Sequence, residues 1–557
     1  MRYILLFCLL FITYNCKPSE EKKDSSPDVE TIETDEDAND LSAISTKDFR
    51  EFKVLDSKYI NNAELWDVID EDLKDFTEDD YFTLKPFVID QDIPALQKYI
   101  SEGQLSYELL TKFYLYRIRK FDRENDLSLN AVIAINANVV TQAKAIDEAF
   151  QQNKRQDRHP IYGMPILLKD NINTAEMPTT AGAVALKDNT TEDAFIVKQL
   201  KSKGALILGK ANLSEWAYFF CGDCPSGYSA VGGQTLNPYG RRIMDTGGSS
   251  SGSGVAVAAN FCVAAIGSET SGSILSPASQ NSIVGLKPTI GLVSRGGIVP
   301  ISSTLDTAGP MTKNVIDNAI LLDAIFGEDK SDSKSIYALW EPGFYWKDAW
   351  KEFEVKGKRF GAFKGLMEDE LYAKAVEVLK EQGAEIVEIK ALDINLPGFL
   401  RLLNLDMKTD LVSYLKDYGN PYLEYTSIED IMDFNRKDSL SVMPYGQRLF
   451  QGVSDDAATD EEFKEIKAVL KANGKRFFDE PMKTHNLDGI LSINNYHAGY
   501  AAVAEYPALT VPMGYNDEGE PEGLTFISSR LREKQLLEWA YVYEQASKMR
   551  VAPKNYN

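Results

Sequence analysis

The sequence predicts an α/β protein in which a β-sheet is flanked by helices. Between residues 130 and 319, apolar runs typical of buried strands alternate with helical segments, which is the pattern of α/β sheets. The chain has 557 residues, of which 44% are hydrophobic and 26% charged, an ordinary globular composition with room for a large core. Two Gly/Ser-rich runs, 247–254 and 267–274, enclose the apolar segment 255–266, which we expect to form a short buried helix and a buried strand.

The first 15 residues predict a signal segment for export. Arg2 is followed by an apolar run over residues 4–12, about half the length that a membrane-spanning helix needs. Cys16 comes directly after the segment and predicts a lipoprotein whose mature chain starts at a lipidated Cys16. A plainly cleaved signal is the alternative, because residues 13–15 lack the small residue expected before the cysteine. We therefore expect an exported protein of the bacterial cell envelope, on the periplasmic or outer side, held to the membrane by a lipid anchor.

An acidic segment follows the signal. Residues 17–48 are rich in Ser, Asp, Glu and Lys and contain no aromatic residue, so they cannot bury enough apolar surface to fold. We predict a largely disordered tether over residues 16–84 and a folded domain over residues 85–557. The net charge of −24 argues against a nucleic-acid partner. Much of that charge lies in the N-terminal region, so it predicts nothing about the substrate.

The folded region predicts several elements outside the alternating pattern. Ser106 is a candidate cap for an amphipathic helix that carries Leu110, Phe113 and Ile118. The remaining predictions are a strand at 130–135, a helix at 138–150, a strand-helix-strand unit within 359–388, a helical segment at 396–485 and a final helix at 533–549.

Cysteines and histidines are few. The five cysteines do not make a disulfide scaffold, and Cys221 and Cys224 have no second pair with which to build a zinc site. We expect these two to be loop cysteines that can pair in an oxidising compartment, and the sequence leaves their pairing open. The three histidines, His159, His485 and His497, show no metal-binding spacing, and His485 and His497 are expected to be satisfied loop or core groups.

Three interpretations of the first Gly/Ser-rich run can be compared. A phosphate-binding loop needs a lysine after its last glycine, but Ser253 follows Gly252, which excludes nucleotide binding by that motif. Residues 248–252 match the nucleophile elbow around Ser250, yet that motif needs an apolar strand before it and a histidine base. The preceding residues 239–245 form a poor buried strand.

In the third interpretation, the catalytic base is a lysine that lies before the Gly/Ser-rich run in the sequence. Residues 163–170 form an apolar strand that ends in Lys169, where burial can lower the pKa and leave a neutral amine able to act as a base. Together with Ser249 and Ser273, this pattern resembles the amidase signature family, whose catalytic unit is Ser-Ser-Lys. Further runs carry the same resemblance, namely residues 204–215, 285–289, 294–300, 305–311 and 506–512.

The resemblance extends from about Ile93 to Pro553, with a weakly matching middle. It implies one large domain whose central mixed, mostly parallel, twisted β-sheet is covered by helices on both faces. In such proteins a variable helical segment shapes the substrate channel, and here it would be about residues 396–485.

The resemblance also implies a mechanism of amide hydrolysis. Ser273 would be the nucleophile, Ser249 the bridging serine after a cis peptide bond to Gly248, and Lys169 the base. The backbone N–H groups of Thr270, Ser271, Gly272 and Ser273 would form the oxyanion hole. Water would hydrolyse an acyl-enzyme on Ser273, so neither a cofactor nor a metal ion is implied.

Two positions depart from the family pattern. Many members have Asp-x-Gly-Gly-Ser-Ile-Arg across the nucleophile loop, whereas this chain has Ser271 at a glycine position and Leu275 at the arginine position. Ser271 still offers its N–H group. The missing arginine removes a positive charge near the site, which is unfavourable for acidic substrates or leaving groups.

Three rival functions are considered. An amide-transferring glutaminase subunit is disfavoured by the signal segment, because its partners are cytoplasmic. An ester hydrolase on the same Ser-Ser-Lys unit is compatible with the residues, and a catalytically idle substrate-binding lipoprotein is opposed by the presence of all three side chains.

The loop around Ser273 and residues 506–512 are most similar to bacterial amidases, including those that act on C-terminal peptide amides. The substrate is thus expected to be a small-molecule or peptide amide, and the oligomeric state is left open.

Overall fold

The computed structural model describes residues 52–123, 125–154, 156–337, 340–348 and 350–556. The signal segment, Cys16 and the tether as far as residue 51 lie outside the described residues.

The folded domain begins earlier than the predicted residue 85. Helix α1 (Asn62–Leu73) lies within the segment expected to be a disordered tether, and helix α2 (Glu78–Val88) begins within it. Trp66 is only 4% exposed and Tyr81 only 2%. The prediction was wrong for residues 52–84, because the abundance of acidic residues hid an apolar stripe at helical spacing that faces the core.

The other helices are α3 (Ile93–Ser101), α4 (Tyr107–Phe121), α5 (Val139–Gln152), α6 (Phe195–Ser202), α7 (Ser251–Ala258), α8 (Leu275–Gln280), α9 (Val315–Ile325), α10 (Glu370–Glu381), α11 (Phe399–Asp417), α12 (Ile428–Lys437), α13 (Ser439–Val442), α14 (Arg448–Asp455), α15 (Asp460–His485), α16 (Ala498–Ala504) and α17 (Glu533–Ser547). The strands are β1 (Val132–Ile135), β2 (Pro165–Lys169), β3 (Leu206–Ala211), β4 (Tyr228–Ser229), β5 (Gly233–Gln234), β6 (Ala264–Glu269), β7 (Val284–Lys287), β8 (Thr307–Thr312), β9 (Arg359–Phe363), β10 (Glu385–Ile389), β11 (Gly489–Ile493), β12 (Ala508–Tyr515) and β13 (Pro521–Ile527).

One large mixed sheet organises the domain. Within the part of the chain that the structure describes, it has 11 strands in the order β1-β3-β2-β6-β8-β7-β12-β13-β11-β9-β10. Helices flank it, with α7 against β6, α9 against β8, and α8 and α17 against β12. From residue 52 onward the described residues belong to one compact unit. The predicted α/β class, with one domain built around a mixed sheet, is confirmed.

Strand direction within the sheet differs from the expectation in one respect. Parallel pairing is confined to the blocks β3-β2-β6 and β11-β9-β10. The other neighbours, among them the whole stretch from β6 to β11, pair antiparallel. Parallel pairs therefore do not predominate. Part of the reason is chain connection, since the turn between β12 and β13 is too short for a parallel crossover.

Several predicted elements are confirmed. The side chain of Ser106 accepts a hydrogen bond from the N–H of Leu109 and caps α4 as expected. The apolar segment after the first Gly/Ser-rich run forms α7 and β6, and β9, α10 and β10 form the strand-helix-strand unit. The segment 396–485 is helical and contains α11 to α15. Helices α11, α12, α14 and α15 share an apolar cluster with Trp216 and Phe219, separate from the core around the sheet. None of the helices described is long and apolar enough to cross a membrane.

Candidate active site

The site lies at the carboxyl ends of two neighbouring parallel strands. Lys169 is the last residue of β2, and Glu269 is the last residue of β6. The two strands pair in parallel, so their ends meet at one edge of the sheet. Ser273 lies in the loop that follows β6, and Ser249 lies in the loop before α7, the helix that leads into β6. The topology therefore brings the three predicted catalytic residues into one region.

Lys169 is fully buried, and its amine has two neighbours. Nζ lies 2.7 Å from Ser249 Oγ and donates to the Ser268 carbonyl at 3.0 Å. Burial lowers the pKa of Lys169 to about 7, against a partial opposing effect from the carboxylates of Asp306 and Glu269. Near neutral pH a large fraction of the amine is uncharged, so its lone pair is available to accept a proton from Ser249.

Ser249 follows a cis peptide bond to Gly248, as the family resemblance implied. Its side chain is fully buried. Gly248 lies close to Ser214, whose Oγ would be 2.6 Å from a Cβ placed on Gly248. The absence of a side chain at residue 248 thus lets the serine loop pack against the chain after β3.

The loop that carries Ser273 presents free backbone donors. Among the described residues, the N–H groups of Ser271, Gly272 and Ser273 have no hydrogen-bond acceptor, and all three residues line the same cavity. Gly272 has φ of +84°, and a Cβ there would lie 2.9 Å from Asn495 Nδ2, so this turn requires glycine. Converging free N–H groups are what an oxyanion hole needs.

Of the two hydrogen bonds in the predicted relay, the described residues form the one between Lys169 and Ser249 but not the one between Ser249 and Ser273. The Ser273 hydroxyl, on a residue 9% exposed, makes no hydrogen bond to another described residue, and thus none to Ser249. The backbones of the two serine loops do meet, since the Ser250 N–H donates to the Ser273 carbonyl at 3.2 Å. Catalytic hydrogen bonds are often long in substrate-free enzymes and tighten when substrate binds.

Two carboxylates that the sequence analysis did not assign hold the nucleophile loop. Glu269 Oε2 accepts the N–H groups of Ile274 at 2.8 Å and Leu275 at 3.0 Å. The Thr270 hydroxyl donates to Asp306, which also accepts the N–H groups of Ile301 and Ser302 at 2.8 and 2.9 Å. Both acids belong to runs that carried the resemblance, but only their positions relative to backbone donors reveal these roles.

A cavity of about 410 Å³ opens at Ser273 and Gly248. Lys169 and Ser249 are fully buried and do not reach its surface. One wall is apolar and includes Phe219, Leu396, Phe399, Leu403 and Phe477. Another part is polar and includes Tyr218, Ser226, Asp245, Ser276 and Gln280. Helices α11 and α15 supply much of the apolar wall, which agrees with the predicted channel segment.

The nucleophile elbow around Ser250 is not supported. Ser250 is fully buried, and its hydroxyl is engaged with the backbone of Ser268, donating to the carbonyl at 3.0 Å and accepting the N–H at 3.2 Å. His497 lines the cavity, but its Nδ1 lies 2.6 Å from Ser492 Oγ and its ring stacks on Phe363. Burial lowers the pKa of His497 to about 4. His159 lies 3.3 Å from Asp323, and His485 is exposed.

Within the described residues, the remaining candidate groups do not form a metal site. Cys221 and Cys224 are joined by a disulfide, which answers the question left open by their spacing. Over the described ranges, no cluster of three or more His, Cys, Asp or Glu side chains is arranged to hold a metal ion.

Comparison with known proteins places this site in a family. The Amidase family model matches residues 110–443 of the chain, which include all three predicted catalytic residues. The chain belongs to the Amidase family and is an amidase.

Individual relatives extend the match beyond those residues. A probable amidase of Arabidopsis thaliana is 35% identical over 470 residues, which cover 82% of this chain and 89% of the relative. The crystal structure of an amidase family protein from Bacillus anthracis has a TM-score of 0.84 and 38% identity, and covers 90% of this chain and 100% of its own. Native peptide amidase from Stenotrophomonas maltophilia has a TM-score of 0.78 and 37% identity, with 84% and 98% of the two chains covered.

Proposed function

We propose that this amidase hydrolyses a linear carboxylic amide through an acyl-enzyme on Ser273. The observation that carries the proposal is the 2.7 Å contact between Lys169 Nζ and Ser249 Oγ at the buried side of the loops that line the cavity. A buried amine with a pKa near 7 is a suitable base at neutral pH. A buried serine beside it can pass a proton between that base and a nucleophile that faces the cavity.

Acylation begins with three linked proton and bond changes. Ser273 Oγ attacks the amide carbon as Ser249 takes the Ser273 proton and neutral Lys169 takes the Ser249 proton. The tetrahedral oxyanion is held by backbone N–H groups drawn from Thr270, Ser271, Gly272 and Ser273. The same relay then runs backwards to protonate the leaving amine, and the C–N bond breaks.

Deacylation repeats the sequence with water in place of Ser273 as the attacking group. Water gives a proton to the relay, attacks the ester carbonyl and releases the carboxylic acid, and Ser273 regains its proton. Every proton is held by Lys169, Ser249 or Ser273, and the same N–H groups stabilise both tetrahedral intermediates. The path needs no redox step.

The substrate class is proposed to include amino-acid and peptide amides. The structural neighbour peptide amidase supports this proposal, as does a cavity that combines an apolar wall with a polar one. Leu275 stands where many family members have arginine, so the nucleophile loop offers no cation for an acidic substrate. An ester hydrolase on the same residues is the alternative.

The test is steady-state release of ammonia from N-acetyl-leucinamide, compared with methanol release from the matching methyl ester. We expect Ser273→Ala and Ser249→Ala to lose at least about 10²-fold in kcat. Ser253→Ala is the matched control, since this serine lies in the same run but donates to the Ile266 carbonyl at 3.1 Å. Full activity in Ser273→Ala would contradict the proposal, and turnover of the ester alone would favour the ester hydrolase.

We also propose that the amidase acts in the bacterial cell envelope as a lipoprotein anchored through Cys16. The support is the order of Arg2, the apolar run 4–12 and Cys16. The segment between Cys16 and the first described residue would then connect the anchor to the folded domain.

A further inference from the structure

Asp245 is an acidic residue on the wall of the catalytic cavity that the mechanism does not use. It lies two residues before Gly247, which also lines the cavity, and its Oδ1 accepts the Gly247 N–H at 2.8 Å. Gly247 in turn packs on the start of α8, because a Cβ there would lie 2.7 Å from Pro277. Asp245 is therefore held by the same loop that leads to Ser249 and packs against the helix that follows Ser273.

Among the described residues, no Lys or Arg forms an ion pair with the carboxylate of Asp245. Burial raises its pKa above the usual range, the nearby Glu520 adds to that effect, and hydrogen bonds from Gly247, Ser226 and Thr246 only partly oppose it. An acidic side chain in this position is stabilised when a positive charge comes close.

The cavity itself supplies no such charge. No Lys or Arg occurs among the described residues that line it, and His497 is neutral because burial lowers its pKa to about 4. Around Asp245 the neighbours are hydrogen-bonding groups. The backbones of Asp245 and Gln280 are adjacent, since Asn237 Nδ2 donates to both of their carbonyls at 2.6 and 2.8 Å. The side-chain Oε1 of Gln280 is buried and accepts no hydrogen bond from a described residue.

We propose that Asp245 binds a cationic group of the substrate, the ammonium or guanidinium of an amino-acid or peptide amide, while its carboxamide reaches Ser273. The inference rests on the proposed amide hydrolysis and narrows its substrate class. The apolar wall would hold the aliphatic or aromatic part of the same molecule. The ammonium can come from a free α-amino group or from a basic side chain, and both present the same N–H donors to a carboxylate.

Two pairs of substrates distinguish these sources. N-acetyl-lysinamide and N-acetyl-norleucinamide differ in a side-chain ammonium, and leucinamide and N-acetyl-leucinamide differ in the α-ammonium. For each pair the ratio of kcat/KM, cationic over neutral, is measured in the wild type and in Asp245→Asn. Asparagine keeps an acceptor for the Gly247 N–H, so the loop contact is preserved while the charge is removed. Asp517→Asn removes the same charge from an exposed position away from the cavity and is the matched control.

We expect at least one pair to show a ratio of about tenfold in the wild type, as one partly desolvated charge pair provides. In Asp245→Asn that ratio falls to near one, and in Asp517→Asn it is unchanged. Wild-type ratios near one for both pairs, or an unchanged ratio in Asp245→Asn, would overturn the inference.

Binding separates this inference from the proposed hydrolysis. Calorimetry of the same four amides with Ser273→Ala, alone and combined with Asp245→Asn, needs no turnover. If the wild type hydrolyses none of them, the proposed function fails, and the calorimetric preference then decides the role of Asp245 by itself. Equal affinities within each pair for Ser273→Ala would overturn that role.

Discussion

At the scale of single residues, the burial of Lys169 is the central feature of the site. An amine without water around it loses the solvation that stabilises its charged form, which is why its pKa falls to about 7. The negative charges of Asp306 and Glu269 oppose that fall but do not reverse it. The residue can thus take up a proton during acylation and give it back during departure of the amine.

The pH dependence of activity follows from this value. We expect kcat/KM for a neutral amide to rise about tenfold per pH unit below about pH 7 and to level off above it, because only the deprotonated amine is a base. The measurement is a profile from pH 5 to 9 with N-acetyl-leucinamide. Lys169→Arg, which stays protonated throughout, should be inactive over the whole range. A rate that keeps rising through pH 9 without levelling off, as a lysine with the ordinary pKa of 10.5 would give, would show that Lys169 is not desolvated in solution.

The sequence predicted part of this site. Lys169 could be proposed because a lysine at the end of an apolar strand is delivered to a buried sheet edge, whereas Ser249 and Ser273 were chosen among the serines of their Gly/Ser-rich loops by the family resemblance. Glu269, Asp306 and Asp245 could not be assigned in the same way. Their contacts are with backbone N–H groups and hydroxyls of loops, and those positions depend on chain turns that periodicity does not define.

At the scale of secondary structure, α1 and α2 show that the acidic N-terminal segment belongs to the folded domain from residue 52 onward. A capping box formed by Thr77 and Asp80 starts α2, and α1 contacts both α4 and β1. The Arg117 guanidinium donates to the Tyr81 hydroxyl and to the Ala259 carbonyl after α7. The added helices are therefore linked to the element that follows the serine run.

Stability should depend on this packing. We expect Trp66→Ala to destabilise the domain by about 3–5 kcal/mol, because a large and almost fully buried ring is removed. Val68→Ala on the same helix removes a side chain that is 43% exposed and should change stability by no more than about 0.5 kcal/mol. The midpoint and slope of urea unfolding give both values. Equal effects of the two changes would mean that α1 is only a loosely attached tether.

Strand pairing was the least predictable part of the fold. Apolar runs identify buried strands, but they do not determine whether a strand pairs parallel or antiparallel with its neighbour in the sheet. The hairpin of β12 and β13 illustrates the point, since its direction depends on a short turn rather than on the composition of either strand. The α/β class, the cap at Ser106 and the helical character of residues 396–485 depended on local patterns and were predicted correctly.

At the scale of the whole molecule, we propose that an export signal precedes the catalytic domain. We expect the full-length protein, produced in a bacterial host, to incorporate labelled palmitate and to sediment with membranes, because Cys16 directly follows the apolar run. Cys16→Ala should abolish the label and release the protein. Cys8→Ala, within the signal segment itself, is the control and should retain both properties. Label that persists in Cys16→Ala would contradict the lipoprotein proposal.

The central claim, that Ser273 is the nucleophile activated through Ser249 and Lys169, is tested most directly by covalent labelling. The protein without its signal segment is treated with a fluorophosphonate probe, and the labelled peptide is identified by mass spectrometry alongside Ser273→Ala and Lys169→Ala. The account predicts label on Ser273, its loss in Ser273→Ala and slower labelling in Lys169→Ala. Label on Ser250, or no label on a correctly folded protein, would contradict it.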